Sequence, residues 1–168
     1  MNTYSFERSS EVGRDAVSDV VEFLSNSPKI EEIKNVEHDK EYQKIDVDLV
    51  LKYKHKENVL VEVKGDTYHK TGNFFFETIS NKEKDSPGCF MYSEADWFFY
   101  YFITPQILYT LPLEETREWF KNNIDDFETK TLRTSVGDGY YESEGKLVPI
   151  FKVMENIEDA KKYDLSEL

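Results

Sequence analysis

The chain has 168 residues, with 21 lysines and arginines against 34 aspartates and glutamates, a net charge of −13 at pH 7 and a pI near 4.7. That length fits one domain over residues 1–168, and 39% hydrophobic with 15% aromatic residues excludes wholesale disorder. The acidity argues against non-specific adhesion to nucleic acid or to an anionic membrane.

A lone cysteine, Cys89, excludes an internal disulfide and fits a reducing cytoplasm. The polar stretch Met1–Ser10 lacks the apolar core of a signal peptide. The longest apolar run, Trp97–Ile103, is far shorter than the roughly 18 residues of a membrane span. The expectation is a soluble, cytoplasmic protein with no membrane partner.

In chain order, Ser9 and Ser10 offer caps for a helix over about Glu11–Leu24, where Val12, Ala16, Val20 and Leu24 recur every fourth residue. Glu11, Asp15 and Asp19 form an acidic row beside that apolar stripe, and Asn26-Ser27-Pro28 ends it. Ile33–His38 is a weakly patterned strand. Ile45–Leu51 alternates, with Ile45, Val47, Leu49 and Leu51 on one face and Asp46 and Asp48 on the other. Asn58–Lys64 alternates likewise, and Lys54-His55-Lys56-Glu57 between them suits a hairpin loop.

Gly65–Asn73 reads as a polar loop, Phe74–Ile79 as strand or helix, and Lys82–Gly88 as a loop ending in a Pro-Gly turn. Trp97–Ile103 reads as a buried strand with Ile107–Leu111 as its neighbour, followed by a helix over Leu113–Asn123 anchored by Trp119 and Phe120. Turns at Gly137-Asp138-Gly139 and Glu144-Gly145, a strand at Lys146–Val153, and a cap at Asn156 before an acidic tail complete the pattern. This order points to an α/β (α+β) fold, a mixed sheet flanked by helices.

The chemistry concentrates in Asp46-Val47-Asp48 and Glu62-Val63-Lys64. Residues two apart on a strand share a face, so Glu62 and Lys64 project together, and a hairpin partner brings Asp48 or Asp46 beside them. Buried carboxylates need partners, and a hard divalent cation with oxygen ligands is a natural one. A lysine beside it can position or deprotonate an attacking water, an arrangement suited to in-line phosphodiester hydrolysis.

On these residues the sequence resembles the PD-(D/E)XK nuclease superfamily, with its restriction-endonuclease-like core. The resemblance covers roughly residues 9–80, and Trp97–Ile103 with the elements after it suits the second half of that fold. It implies a Mg²⁺- or Mn²⁺-dependent deoxyribonuclease. By position, Asp48, Glu62 and the Val63 carbonyl bind the metal, Lys64 serves the water, and Glu11 matches the supporting helix acid. No proline or glycine precedes the aspartate, so Asp46 competes with Asp48; Asp15 and Asp19 compete with Glu11. Asn73 and Glu77 have no family counterpart, though Glu77 after Phe74-Phe75-Phe76 can face the same site.

Other motifs point elsewhere more weakly. Asp46-Val47-Asp48 also spells the Asp-x-Asp of glycosyltransferases, but no glycine-rich nucleotide turn precedes it. His38, His55 and His69 lack zinc spacing, and Cys89 has no evident activating base, which fits a structural role. The opposing reading is a solvated strand face in an inactive nuclease-fold binding protein, or an acidic mimic of DNA. Residues 40–84, however, hold nine lysines against eight acids, net +1. An acidic body around a charge-balanced site predicts a small DNA footprint, or a basic partner protein or second copy of the chain that supplies positive surface.

Overall fold

The computed structural model describes residues 3–168, with side chains from Ser10 onward. The elements are, in order, β1 (Thr3–Ser5), α1 (Phe6–Leu24), β2 (Ile30–Asn35), α2 (Lys40–Lys44), β3 (Leu49–Tyr53) and β4 (Val59–Asp66). Then come β5 (Asn73–Asn81), β6 (Ser86–Pro87), α3 (Cys89–Tyr92), β7 (Trp97–Phe102), β8 (Ile107–Pro112) and α4 (Leu113–Asn122). The chain ends with β9 (Glu128–Val136), β10 (Gly139–Pro149), α5 (Ile150–Asn156) and β11 (Lys161–Asp164). A six-stranded sheet has the order β11-β8-β7-β4-β3-β2, parallel only between β4 and β7. A five-stranded sheet has the order β1-β9-β10-β5-β6, parallel only between β1 and β9. The fold is therefore mixed α/β, with a mixed central sheet flanked by helices, as the pattern of elements predicts.

The six-stranded sheet buries both faces. On one, Val61 and Val63 of β4 and Phe99 and Tyr101 of β7 pack against Ala16, Val17 and Val20 of α1. On the other, Phe98, Tyr100 and Phe102 of β7 meet Phe74 and Phe76 of the second sheet and Phe120 of α4. Burial on two faces explains why Trp97–Phe102 is apolar without alternation. The two tyrosine hydroxyls in it are satisfied: Tyr100 donates to Asp66 and accepts from the Phe75 amide (2.9 Å), while Tyr101 donates to Asp19 (2.8 Å). Tyr100 thus ties β4, β5 and β7 together across the layers.

Several expectations are corrected. α1 begins at Phe6, so Ser9 and Ser10 lie within it rather than before it. Residues 40–44 form a helix and β3 starts only at Leu49, so Asp46 and Asp48 lie in the turn before the strand. Glu144-Gly145 is not a turn but a register shift inside β10, where a Cβ on Gly145 would lie 2.6 Å from both the Phe75 ring and the Phe76 carbonyl oxygen. The segment read as a last strand, 146–153, is the end of β10 plus the start of α5. Asn156 ends α5 instead of starting a helix, its amide donating to the Lys152 carbonyl (2.8 Å), and the tail pairs as β11 with β8. Among the described residues no helix is long and apolar enough to cross a membrane.

α1 crosses β4 at Gly65, where a Cβ would sit 2.9 Å from Ala16 Cβ and 3.1 Å from the Val12 carbonyl oxygen. Gly13, in the same helix, has nothing within 4 Å of its would-be Cβ. Gly65→Ala is expected to cost about 1–3 kcal/mol by overpacking, whereas Gly13→Ala is expected to stabilise by about 0.5–1 kcal/mol through helix propensity. Urea midpoints at unchanged m-value report both; equal shifts in the same direction would contradict this packing.

Candidate active site

β3 and β4 pair from Leu51↔Val59 to Leu49↔Val61, and then the ladder passes to a side chain. The Asp48 amide donates to the Val61 carbonyl (2.9 Å), and the next amide along β4, that of Val63, donates to Asp48 Oδ2 (2.8 Å). Within an extended residue N–H and C=O point to the same strand edge. The Val63 carbonyl is therefore directed toward the edge at which Asp48 stands.

Val61 and Val63 face α1, so Glu62 and Lys64 face the other way, toward the second sheet. Glu62 is 7% exposed, and its Oε2 is buried with no hydrogen-bond partner. Asp46 Oδ2 is a second such oxygen. One ligand atom each from Asp46, Glu62 and Cys89 lie within 4.8 Å of one another.

Asp46 reaches this position through an uncommon backbone conformation, φ +54°. Aspartate tolerates the left-handed region better than most residues, but it must be held there. Val47 N donates to the Tyr42 carbonyl (3.1 Å), Glu94 N to the Ile45 carbonyl (2.9 Å) and Ser93 Oγ to the Asp46 carbonyl (2.7 Å). Ser93 is fixed in turn by Arg117, whose Nη2 donates to the Ser93 carbonyl (2.6 Å) and Nε to that of Phe90 (2.9 Å).

The electrostatics are those of acids crowded out of water. Burial first, and then the Asp48 and Asp46 charges, hold the Glu62 carboxyl well above the usual range. Burial and Asp48 push Asp46 up to about 6. Asp48 is also raised by burial, against the opposing effect of the Val63 amide. Burial alone would lower Lys64, but Glu77, Cys89, Asp66 and Glu62 outweigh it and raise it, so the side chain is an ammonium. Burial raises Glu77, while Lys64 and the Cys89 amide, which donates to its carboxylate, pull it down. Burial and then Glu77, Glu62 and Asp46 raise the Cys89 thiol strongly, and burial with Asp46 and Cys89 raises Tyr92 at the exposed side. Three neighbouring carboxylates cannot all ionise without a compensating cation.

The structure thus brings together Asp46, Asp48, Glu62, Lys64 and Glu77. The two aspartates are placed differently: Asp48 accepts from the Val63 amide with one oxygen, while Asp46 is the one grouped with Glu62 and Cys89. It does not bring in the helix acids. Glu11 and Asp15 are exposed on α1, which packs on the opposite face of β4, and Asp19 accepts from Tyr101. Asn73 opens β5 opposite Pro149 and takes no part. Cys89, Ser93 and Tyr92 were not legible as site residues, because they arrive from α3 and the turn after it without a spacing motif. No protein-family model, no curated protein and no solved structure matches the chain.

Carboxyls raised on folding bind more protons in the folded than in the unfolded chain, so their contribution to stability is present below the ordinary carboxylate values and is lost as pH rises through the raised ones. For Asp46 that window runs from 3.8 to about 6. Without divalent metal, Asp46→Asn and Glu62→Gln are therefore expected to melt above the wild type at pH 8, by roughly a few degrees. The advantage should shrink toward pH 4. Melting curves across that range check this, and variants that melt lower at pH 8 would contradict it.

Proposed function

We propose that the chain is a divalent-metal-dependent nuclease that hydrolyses DNA phosphodiester bonds. The observation that carries the reading is the convergence of Asp46, Asp48 and Glu62 with Lys64, two residues on along the same face of β4. The donor set suits a cation such as Mg²⁺ or Mn²⁺: buried carboxylate oxygens, two of them lacking any partner, and a backbone carbonyl directed to the same edge. Asp48, Glu62 and the Val63 carbonyl would hold it, with Asp46 as a further ligand. When bound, the metal supplies positive charge where a phosphodiester develops negative charge. The placing of Glu62 and Lys64 on the second strand of a hairpin that follows an N-terminal helix, with Asp48 just before the first strand, supports the resemblance to PD-(D/E)XK nucleases.

Lys64 acts in this reading as a fixed ammonium. It orients the attacking water or steadies the scissile phosphate, and the nearby Glu77 charge favours its charged form. The strongly acidic remainder of the chain (−13 overall and +1 over residues 40–84, hence −14 elsewhere) restricts contact with DNA to a small footprint. A basic partner protein or a second copy would enlarge it. That same −14 favours, as second reading, an inactive nuclease-fold protein or an acidic mimic of DNA.

Purified protein with Mg²⁺ or Mn²⁺ is expected to cut at least one of single-stranded, duplex or branched DNA. Lys64→Ala and Glu62→Ala should slow cutting by about 100-fold or more. Failure to cut every such substrate with either metal would rule out the nuclease and leave the second reading.

A further inference from the structure

α3 is four residues long, yet both of its ends bear on the acidic cluster. Gly88 precedes it and donates to the Thr78 carbonyl (3.0 Å), and a Cβ there would lie 2.3 Å from the Glu77 carbonyl oxygen. The helix is therefore pressed onto β5, closer than any other residue would allow. At its first position Cys89 presents its sulfur to Asp46 and Glu62, all three ligand atoms lying within 4.8 Å. Just after its last, Ser93 holds the Asp46 carbonyl (2.7 Å). Asp46 and Glu62 each keep one buried oxygen that no N–H or O–H donor satisfies, Oδ2 and Oε2, and Glu62 is more than nine-tenths buried. Buried polar atoms of native proteins have partners, and two unsatisfied carboxylate oxygens in residues grouped with a thiol suit a cation.

We infer that Cys89 is a further protein ligand of that cation, beside Asp46 and Glu62, so that the site prefers thiolate-accepting ions such as Co²⁺ or Zn²⁺ over Mg²⁺. The chemistry is that of ligand softness: Mg²⁺ takes oxygen donors in near-ideal octahedral geometry and discriminates against sulfur, whereas the later divalent ions accept it. The thiol proton leaves to solvent as the metal binds. The inference rests on the metal site of the proposed function but not on DNA cleavage.

Because Cys89 is the only cysteine, the reduced full-length chain can be titrated with Cd²⁺ or Co²⁺ while thiolate-to-metal charge-transfer absorption is followed. A saturable one-to-one signal is expected, abolished in Cys89→Ser. The affinity should fall at least about tenfold in Asp46→Asn and in Glu62→Gln. Zn²⁺ should displace the Co²⁺ signal at concentrations where Mg²⁺ does not. The aspartate and glutamate variants carry the test even if Cys89→Ser fails to fold. A signal unaffected by both of them would place the bound metal outside the cluster and overturn the inference. So would Mn²⁺ or Mg²⁺ binding by calorimetry with no charge-transfer signal, which leaves the nuclease reading standing. Binding of no metal at all would overturn both. A charge-transfer signal without DNA cleavage would uphold the inference and overturn the nuclease.

Discussion

The site exists because a side chain takes the place of a backbone. At Asp48 strand β3 turns away from β4, and the Val63 amide, which would otherwise lose its ladder partner, is met by the Asp48 carboxylate at 2.8 Å. A buried amide without an acceptor costs about 1–3 kcal/mol, so the substitution is needed as soon as the strands part. That bond commits one oxygen of Asp48 and turns the Val63 edge of β4 toward the aspartate, next to Glu62. A continuous β3 would give the Val63 amide a backbone partner and leave Asp48 without this bond.

β4 then serves two masters through its period of two. Its outward face is spent on α1, which approaches so closely at Gly65 that no side chain fits, and its inward face bears Glu62, Lys64 and Asp66 in a row. Asp66, at the end of that row, is bonded to Tyr100 and fixes the strand to its parallel neighbour β7. The other half of the site hangs on a relay from α4: Arg117 grips the end of α3, Ser93 grips Asp46, and a strained aspartate is kept where its free oxygen meets Glu62. Positioning of this kind, by residues outside the cluster itself, separates an ordered cluster from a merely acidic surface.

How far the sequence was legible follows from whether local pattern or distant contact decided each segment. The α1 stripe, the β4 alternation and the doubly buried β7 are readable because burial there follows the element's own period. Ile45–Leu51 misleads for a physical reason. Its apolar alternation imitates a strand, but the positive φ at Asp46 and the turn after it send Val47 to the inter-sheet core with Val50, while Leu49 and Leu51 face α1. The hydrogen bond from Ser93, 47 residues away, is what makes that turn, and no local signal announces it. Glu62 and Lys64 were legible for the same reason as β4, being fixed by strand period alone. Glu11 lies apart from the cluster, since which face of the sheet a helix covers is settled by packing at Gly65 and not by the helix's own pattern.

The pairing of β1 with β9 bears on the order in which the molecule assembles. Thr3 lies opposite Arg133, a separation of 130 residues, and the strand it belongs to leads directly into α1. During synthesis α1 can form as soon as it emerges, and the β2-β3-β4 meander can close behind it from near neighbours. The first strand has no partner until β9 has been made. Contacts so distant in sequence carry a large loop-closure cost and form late. The five-stranded sheet is therefore closed at its β1 edge only when β9 has been made, late in synthesis, although its first strand is the earliest part of it to emerge.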